Sequence, residues 1–423
     1  MMRFRLWLFV PFLLWAVSFQ TLRADDGARS TRLLHLMQAG RGDSLYAALD
    51  STCRARLTPT FLSGLYAQLT GRMGALRTAG PWQVMRSGRL TVEQSRLDFE
   101  RGAVQLRFVF DDEGRVAGMF MLPVVQAETP SPQPADSAAW EEREVSVVNG
   151  EVVLPATCCF PRGAGRRVPL VVFVHGSGPN DRDETLGPNH LFRDLAHHLA
   201  EGGVASLRYD KRTRVYADRF MEVSGRADYD TETVDDAVAA LRLARTLPEV
   251  APDSLYVVGH SLGATLAPRI AALSRPAPAG IVLLAALARP FEVALRDQLA
   301  YLACLQGLDS VRVEDEVAKA LATLPAEYLD FARRYDPVAT AAGLTLPLLV
   351  VQGGHDYQVT EADFRLWQQG LAGHANVRFA FLPALDHLMR PLPAMATPAD
   401  YARYVPVSPE AVELLLRFLH GGK

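Results

Sequence analysis

The stretch Leu255-Tyr256-Val257-Val258-Gly259-His260-Ser261-Leu262-Gly263-Ala264-Thr265-Leu266 changes character twice within three turns of chain. Leu255 to Val258 is an apolar run too continuous for a sheet with one wet face, and Ala264 to Leu273 favours helix. Between them lies Gly-x-Ser-x-Gly, the pattern of a strand turning sharply into a helix. Such a turn needs glycine two residues before and two after the serine, because the helix start presses on neighbouring strands where a Cβ would clash. The turn exposes the Ser261 hydroxyl beside the free N–H groups and positive dipole end of a helix. Negative charge developing there is stabilised, with Leu262 N–H as the expected donor.

Working outward, the same kind of apolar run recurs at Leu170 to Val174, Val204 to Leu207, Ile281 to Leu284, Leu346 to Val351 and Val377 to Leu382. Helical spacing separates them, as in Leu191, Leu195 and Leu199 before Gly202-Gly203, and Val234, Val238 and Leu241 after a possible cap at Thr231. The alternation predicts βαβ units, hence an α/β fold with a mostly parallel central sheet flanked by helices. A hairpin, Val145 to Val148 and Glu151 to Leu154 about Asn149-Gly150, would open the sheet. A last helix, with Ser408 as cap, Pro409 in its first turn and Val412, Leu415, Leu416 and Leu419 on one face, would cover its end.

A hydroxyl at its free pKa is a poor nucleophile, so a base must take its proton and a carboxylate must orient that base. Asp356 follows the run Leu346 to Val351 in Gln352-Gly353-Gly354-His355-Asp356-Tyr357, and His387 follows Val377 to Leu382 in Pro383-Ala384-Leu385-Asp386-His387. Parallel strands bring such loops to one edge of the sheet, so Ser261, Asp356 and His387 are the candidate catalytic residues. Asp386 competes with Asp356, but a residue adjacent to the histidine rarely reaches its far ring nitrogen. A second oxyanion donor is expected from the loop His175-Gly176-Ser177-Gly178, with Ser177 N–H as candidate; His175 itself fits loop shaping better than base catalysis.

The segments HGSG, GHSLG, QGGHDYQV and LDH, in this order, resemble the α/β-hydrolase superfamily across residues 140–421. The longer stretches HGSGPNDRDE (175–184) and RYDKRT (208–213) resemble a bacterial subgroup of secreted hydrolases grouped with serine aminopeptidases and bile-acid acyltransferase-like enzymes. The resemblance implies the α/β-hydrolase fold, the same triad, and no metal or organic cofactor. GHSLG is similar to esterases, and ester leaving groups require less of the acid than amines do. The leading expectation is therefore hydrolysis of a small-molecule carboxylic ester through an acyl-enzyme. Peptide hydrolysis from the amino terminus would need an acidic group such as Glu314 or Glu316 to hold the ammonium. Acyl transfer and a non-catalytic binding module are the other readings.

Pro268 departs from the pattern and is expected to kink or shorten the helix after Ser261. Asp181, Arg182, Asp183 and Glu184, with Asp210, Lys211 and Arg212, read as solvated, salt-bridged loops, the other reading being that they line the active-site mouth. Residues 285–345 exceed a simple crossover; Phe291, Leu295 and Leu299, then Val317, Leu321 and Leu324, predict a helical lid in which specificity would reside.

The chain of 423 residues carries 44 Lys and Arg against 47 Asp and Glu and no phosphate-neutralising basic run, so nucleic acid is excluded as the expected partner. Arg3 and Arg5, the apolar stretch Leu6 to Phe19, and Leu22-Arg23-Ala24 read as a signal peptide (1–24) for export to the periplasm or medium. The apolar stretch is shorter than the roughly 20 residues a membrane-spanning helix needs, and no cysteine directly follows the cleavage site for acylation. Cys53, Cys158, Cys159 and Cys304 lack metal-ligand spacing. Residues 126–139, containing ETPSPQPADSA, read as a linker. Before it, residues 27–125 form a small α+β domain, with helical spacing at Phe61, Leu65 and Leu69 and a hairpin of Val104 to Phe110 and Val116 to Leu122 about Asp112-Glu113-Gly114. This segment resembles the uncharacterised domain with a nuclear-transport-factor-like cone fold that precedes bacterial secreted hydrolases.

Overall fold

The computed structural model describes residues 27–421 apart from 55–56, 88–89, 124–138, 164, 166 and 306–309. The expected signal peptide and the ETPSPQPADSA stretch lie outside the described residues. The chain divides into two compact units near residue 126.

In the first unit, alternating side chains give the sheet one buried face. Helices α1 (Ala28–Gln38), α2 (Gly42–Ala47) and α3 (Pro59–Met73) precede strands β1 (Leu76–Ala79), β2 (Gln83–Ser87), β3 (Leu90–Phe99), β4 (Gly102–Phe110) and β5 (Val116–Pro123). All pairings are antiparallel, in the order β1-β3-β4-β5 with β2 also on β3. Leu106, Phe108 and Phe110 of β4 pack against Leu33, Leu34 and Met37 of α1 and Leu62 of α3. The expected α3 stripe is displaced by one residue at its start: Phe61 is 41% exposed and Leu62 takes the buried place.

The second unit is built on an eight-stranded sheet. Its strands are β6 (Trp140–Asn149), β7 (Val152–Pro161), β8 (Val168–Val174), β9 (Ala205–Tyr209), β10 (Val250–His260), β11 (Gly280–Leu284), β12 (Leu348–Gly353) and β13 (Val377–Leu382). They lie in the order β13-β12-β11-β10-β8-β9-β7-β6, and only β7 runs against the rest. This is the α/β-hydrolase arrangement. The sheet is buried on both faces, which is why its strands read as unbroken apolar runs: Val172, Val257, Leu283 and Val350 join one core, Val171, Val258, Val282 and Leu349 the other.

Helices α4 (Leu191–Glu201), α5 (Asp235–Thr246) and α6 (Leu262–Leu273) connect the central strands. Between β11 and β12 come α7 (Phe291–Leu305), α8 (Ser310–Ala322), α9 (Ala326–Arg334) and α10 (Pro337–Ala342), and α11 (Glu361–Gly370) and α12 (Pro409–Leu419) complete the unit. Leu295, Leu299 and Val317 form a small core of their own between α7 and α8. No helix among the described residues is long and apolar enough to cross a membrane.

Three local expectations are corrected. Thr231 does not cap α5: Asp228 Oδ1 accepts the Thr231 N–H (2.9 Å) while Thr231 Oγ1 accepts the Asp228 N–H (3.2 Å), so Asp228 caps, and one π-helical turn, Asp230–Val234, precedes α5. The Asp carboxylate outcompetes the Thr hydroxyl as acceptor. Pro268 does not shorten α6, which continues to Leu273. Its lost hydrogen bond is outweighed by burial, Pro268 and its neighbours Ala264, Leu266, Ala267 and Ile270 being enclosed. Ser408 sits at the cap position of α12 without a side-chain hydrogen bond, while Pro409 supplies the first turn.

The order of strands puts the chain's reversal between β8 and β10, which lie side by side with Val174 opposite Gly259. Their carboxyl ends therefore open into a common crevice. Close packing there depends on glycine: a Cβ on Gly263 would sit 2.1 Å from Val174 O and 2.6 Å from His175 O, and one on Gly259 2.4 Å from Gly263 O. Those partners are backbone atoms and cannot swing aside. Gly263→Ala is expected to cost about 2–3 kcal/mol of stability, read from the urea midpoint; a midpoint equal to wild type would show that the turn can spread.

Candidate active site

Ser261 occupies the turn between β10 and α6 with φ 54° and ψ −116°, a left-handed backbone that a non-glycine residue adopts at a cost of about 1–3 kcal/mol. Its neighbours hold it there. Ser261 N–H donates to Leu284 O (2.9 Å), extending the β10–β11 ladder, and Ser261 O accepts the first helical bond from Thr265 N (2.9 Å).

Asp356 and His387 meet because their loops continue the β12–β13 pairing. Gly354 N–H donates to Leu382 O (3.0 Å) and His355 N–H to Leu385 O (2.9 Å), and Gly353 approaches so closely that a Cβ would lie 2.3 Å from Leu385 O. Asp356 Oδ2 then accepts from His387 Nδ1 at 2.7 Å, both side chains being buried. Asp356 Oδ1 accepts from Gln358 N (2.7 Å) and Val359 N (3.1 Å), which aims the carboxylate at the ring. With Nδ1 carrying the proton, Nε2 has the free lone pair of a base.

Asp386 does not compete. It accepts the N–H groups of Leu388 (3.0 Å) and Arg390 (2.9 Å) and pairs with the buried Arg390 guanidinium, so its role is to shape the turn that presents His387. Among the described residues no hydrogen bond joins Ser261 Oγ to His387 Nε2. The rings of His260 and His387 lie 4.6 Å apart between centroids, so the residue preceding Ser261 packs beside the imidazole.

Gly176 brings the loop after β8 against Ser261: a Cβ on this glycine would lie 3.1 Å from Ser261 Cβ. Ser177 N–H and Leu262 N–H have no partner among the described residues, so two donors flank Ser261 unclaimed. His175 is enclosed by Phe192 and Tyr209, and burial pushes its imidazole down to about 4, so it is neutral near pH 7.

The charged stretches 181–184 and 208–212 are not a solvated surface. They interlock through Arg182–Asp210 (3.2 Å) and Arg208–Asp183 (2.7 Å), while Arg212 pairs with Asp236 of α5 (2.5 Å). Sequence reasoning missed four residues behind the crevice. Glu184 Oε1 accepts from Gly176 N (2.6 Å), and Oε2 lies 3.0 Å from His260 Nδ1, near enough for an ion pair though outside hydrogen-bond geometry. Burial lowers the His260 pKa, but the Glu184 carboxylate, helped by the His387 carbonyl and the Asp356 charge, leaves it raised. His260 Nε2 donates to His387 O (2.9 Å), tying the His387 loop to the turn that carries Ser261. Lys211 and Glu232 form a second buried pair. Glu184 and Lys211 belong to the two charged stretches read from the sequence as surface, and no pattern in the sequence marked His260 and Glu232 as their partners.

A metal could be sought at Glu142, Cys159 and His197, whose ligand atoms lie within 4.8 Å of one another. Glu142 Oε1 is already engaged by Arg208 (2.6 Å) and His197 (2.8 Å), and burial pushes the Cys159 thiol up to about 12. A cation there would have to displace a guanidinium and deprotonate a reluctant thiol. Cys158 and Cys159 face opposite cores of the sheet.

A sheet with one reversed strand and a strained serine at its strand-to-helix turn defines the class of α/β-hydrolases. Residues 171–404 match the model described as "Alpha/beta hydrolase family", and residues 30–119 match "Protein of unknown function (DUF3887)". The chain is 33% identical over 380 residues to "Esterase EstD" of Thermotoga maritima, covering 86% of this chain and 88% of the relative. Among solved structures it is similar to Est1E from Butyrivibrio proteoclasticus (18% identity, TM-score 0.45, 66% of this chain and 99% of that one). It is also similar to a puromycin-hydrolyzing peptidase of Mycobacterium tuberculosis (16%, 0.48, 81% and 48%). The chain belongs to the alpha/beta hydrolase family and is a hydrolase.

The depressed His175 pKa has a consequence for stability. An unfolded histidine takes its proton near 6.5 and the native one near 4, so between these values the unfolded chain holds more protons and stability rises with pH. The contribution, about 3 kcal/mol, is present above pH 6.5 and lost on descending to pH 4. Thermal melts of His175→Gln are expected to fall less steeply over this window than those of wild type; parallel curves would refute the neutral, buried imidazole.

Proposed function

We propose that the protein is a serine hydrolase of small-molecule carboxylic esters, with Ser261 as nucleophile, His387 as general base and Asp356 as its orienting acid. The observation that carries this is the 2.7 Å Asp356–His387 hydrogen bond in the crevice that holds the strained Ser261. His387 Nε2 takes the Ser261 proton as Oγ attacks the carbonyl carbon. The N–H groups of Ser177 and Leu262 receive the oxyanion. Collapse expels the alcohol, which collects the proton from His387, and water then releases the acid from the acyl-enzyme by the same steps in reverse roles. His175, neutral and walled in by aromatics, takes no part.

The kinship with a relative named an esterase supports an ester as substrate. Peptide hydrolysis from the amino terminus is disfavoured because the acids considered for it are taken: Glu314 pairs with Arg296 (2.7 Å) and Glu316 with Lys319 (2.7 Å). The helices α7 to α9 serve in this reading as the lid, with Tyr328 and Phe331 of α9 against Tyr229 (centroids 4.5 and 5.1 Å apart). The export signal belongs to the same proposal: a hydrolase with Arg3, Arg5, the apolar stretch and Ala24 is cut after Ala24 and works outside the cytoplasm.

Two measurements check this reading. A fluorophosphonate should label wild type and not Ser261→Ala. Ester kcat should fall by about 10⁴-fold or more in Asp356→Asn and by about 10⁶-fold in Ser261→Ala. Labelling of Ser261→Ala at the wild-type rate would discard the nucleophile, and esterase activity absent from wild type would favour a binding module. Mass spectrometry of the exported chain should give Asp25 as the first residue; a cell-bound chain retaining residues 1–24 would contradict the cleavage.

A further inference from the structure

Lys211 is 1% exposed, and its Nζ donates to Gly176 O (2.8 Å) and to Glu232 Oε1 (2.5 Å). The Gly176 carbonyl is thus tied to an ammonium that is itself seated on a carboxylate from the π-helical turn. The carbonyl does not need this partner to be satisfied, since Asn180 Nδ2 already donates to it at 3.1 Å. Nor is stability a sufficient reason: a buried ion pair loses so much hydration that apolar replacement of both members is often neutral or better. The arrangement calls for a functional reason.

That reason lies in the peptide group. Gly176 C=O and Ser177 N–H belong to one planar trans unit and point in opposite directions, so fixing the carbonyl fixes the donor. The flank is held as well, Gly176 N–H being bound by Glu184. A positive charge on the carbonyl oxygen also draws electrons from the amide and makes its N–H a stronger donor. We propose that Lys211, seated on Glu232, is a positioning residue that orients and polarises the Gly176–Ser177 peptide, so that Ser177 N–H meets the developing oxyanion without reorganisation. The proposal rests on the reading of Ser177 N–H as an oxyanion donor. It predicts an effect on the tetrahedral state and little on the ground-state ester.

The test uses the full chain, para-nitrophenyl butyrate as substrate, and an aryl trifluoromethyl ketone, which adds Ser261 Oγ to its carbonyl and leaves an oxyanion in the same place. Lys211→Met alone strands the Glu232 carboxylate, so the working variant is Lys211→Met with Glu232→Gln. Expected are a 10- to 100-fold loss in kcat, a KM within about three-fold of wild type, and a loss of ketone affinity matching that in kcat. A variant with a changed melting temperature but wild-type kcat and ketone affinity would assign the pair a purely structural role and overturn the proposal. Loss expressed in KM alone would overturn it too. If the double variant does not fold, Glu232→Gln alone, which removes the carboxylate seat of the ammonium and leaves Lys211 in place, decides: an approximately three-fold drop shared by kcat and ketone affinity supports the positioned peptide, and unchanged values of both refute it. Ser261→Ala run alongside separates the two levels of inference. Wild-type turnover in Ser261→Ala would sink the triad itself, whereas a Ser261-dependent activity indifferent to Lys211 would sink only the role of Lys211.

Discussion

A serine held in left-handed backbone between two glycines, neither of which has room for a methyl group, is the constraint on which the second unit is organised. The strain persists because the surroundings over-determine it: one ladder bond to β11, one helical bond into α6, and backbone oxygens of β8 pressed against Gly263. The same closeness does chemical work. It sets Ser261 at the start of a helix and beside the loop that follows β8.

Around that turn the chain spends charge rather than apolar surface. Glu184–His260 and Lys211–Glu232 are enclosed pairs, and each ends on the same short loop: Glu184 takes the N–H of Gly176, and Lys211 takes its C=O. His260 adds a bond to the backbone of His387. In a low-dielectric interior such bonds are strong and directional, and an unmatched member is costly, so the loops have few alternative arrangements. Apolar contacts alone would hold the same segments together without specifying the orientation of a peptide plane. The outer pairs, Arg182–Asp210 and Arg208–Asp183, fasten the two charged stretches to each other.

Much of the architecture was legible because burial on both faces leaves an unambiguous mark. The run Val377 to Leu382 is β13 without adjustment, and the other strands differ from their apolar cores by a few residues at the ends, where polar residues such as Arg208, on β7, and Gln352, on β13, still pair. Helix starts were less legible. Thr231 and Asp228 both carry capping side chains, and only the actual path of the chain selects the carboxylate. Pro268 signals a break that enclosure overrides. Phe61 and Leu62 are equally apolar, so which faces the core depends on a rotation of α3 that spacing alone left open.

By itself the sequence determined the alternation of strand and helix, the glycine-flanked turn at Ser261, and the placement of Asp356 and His387 in loops beyond buried strands. These follow from local periodicity and from the steric demands of individual residues. Only the tertiary structure decided which charges are partners. Glu184 meets His260, Lys211 meets both Glu232 and Gly176, and Arg208 meets Asp183, because pairing between distant residues is set by strand order and loop course. No periodicity along one chain encodes that information: electrostatic partners are chosen by distance in space, and the fold alone supplies it.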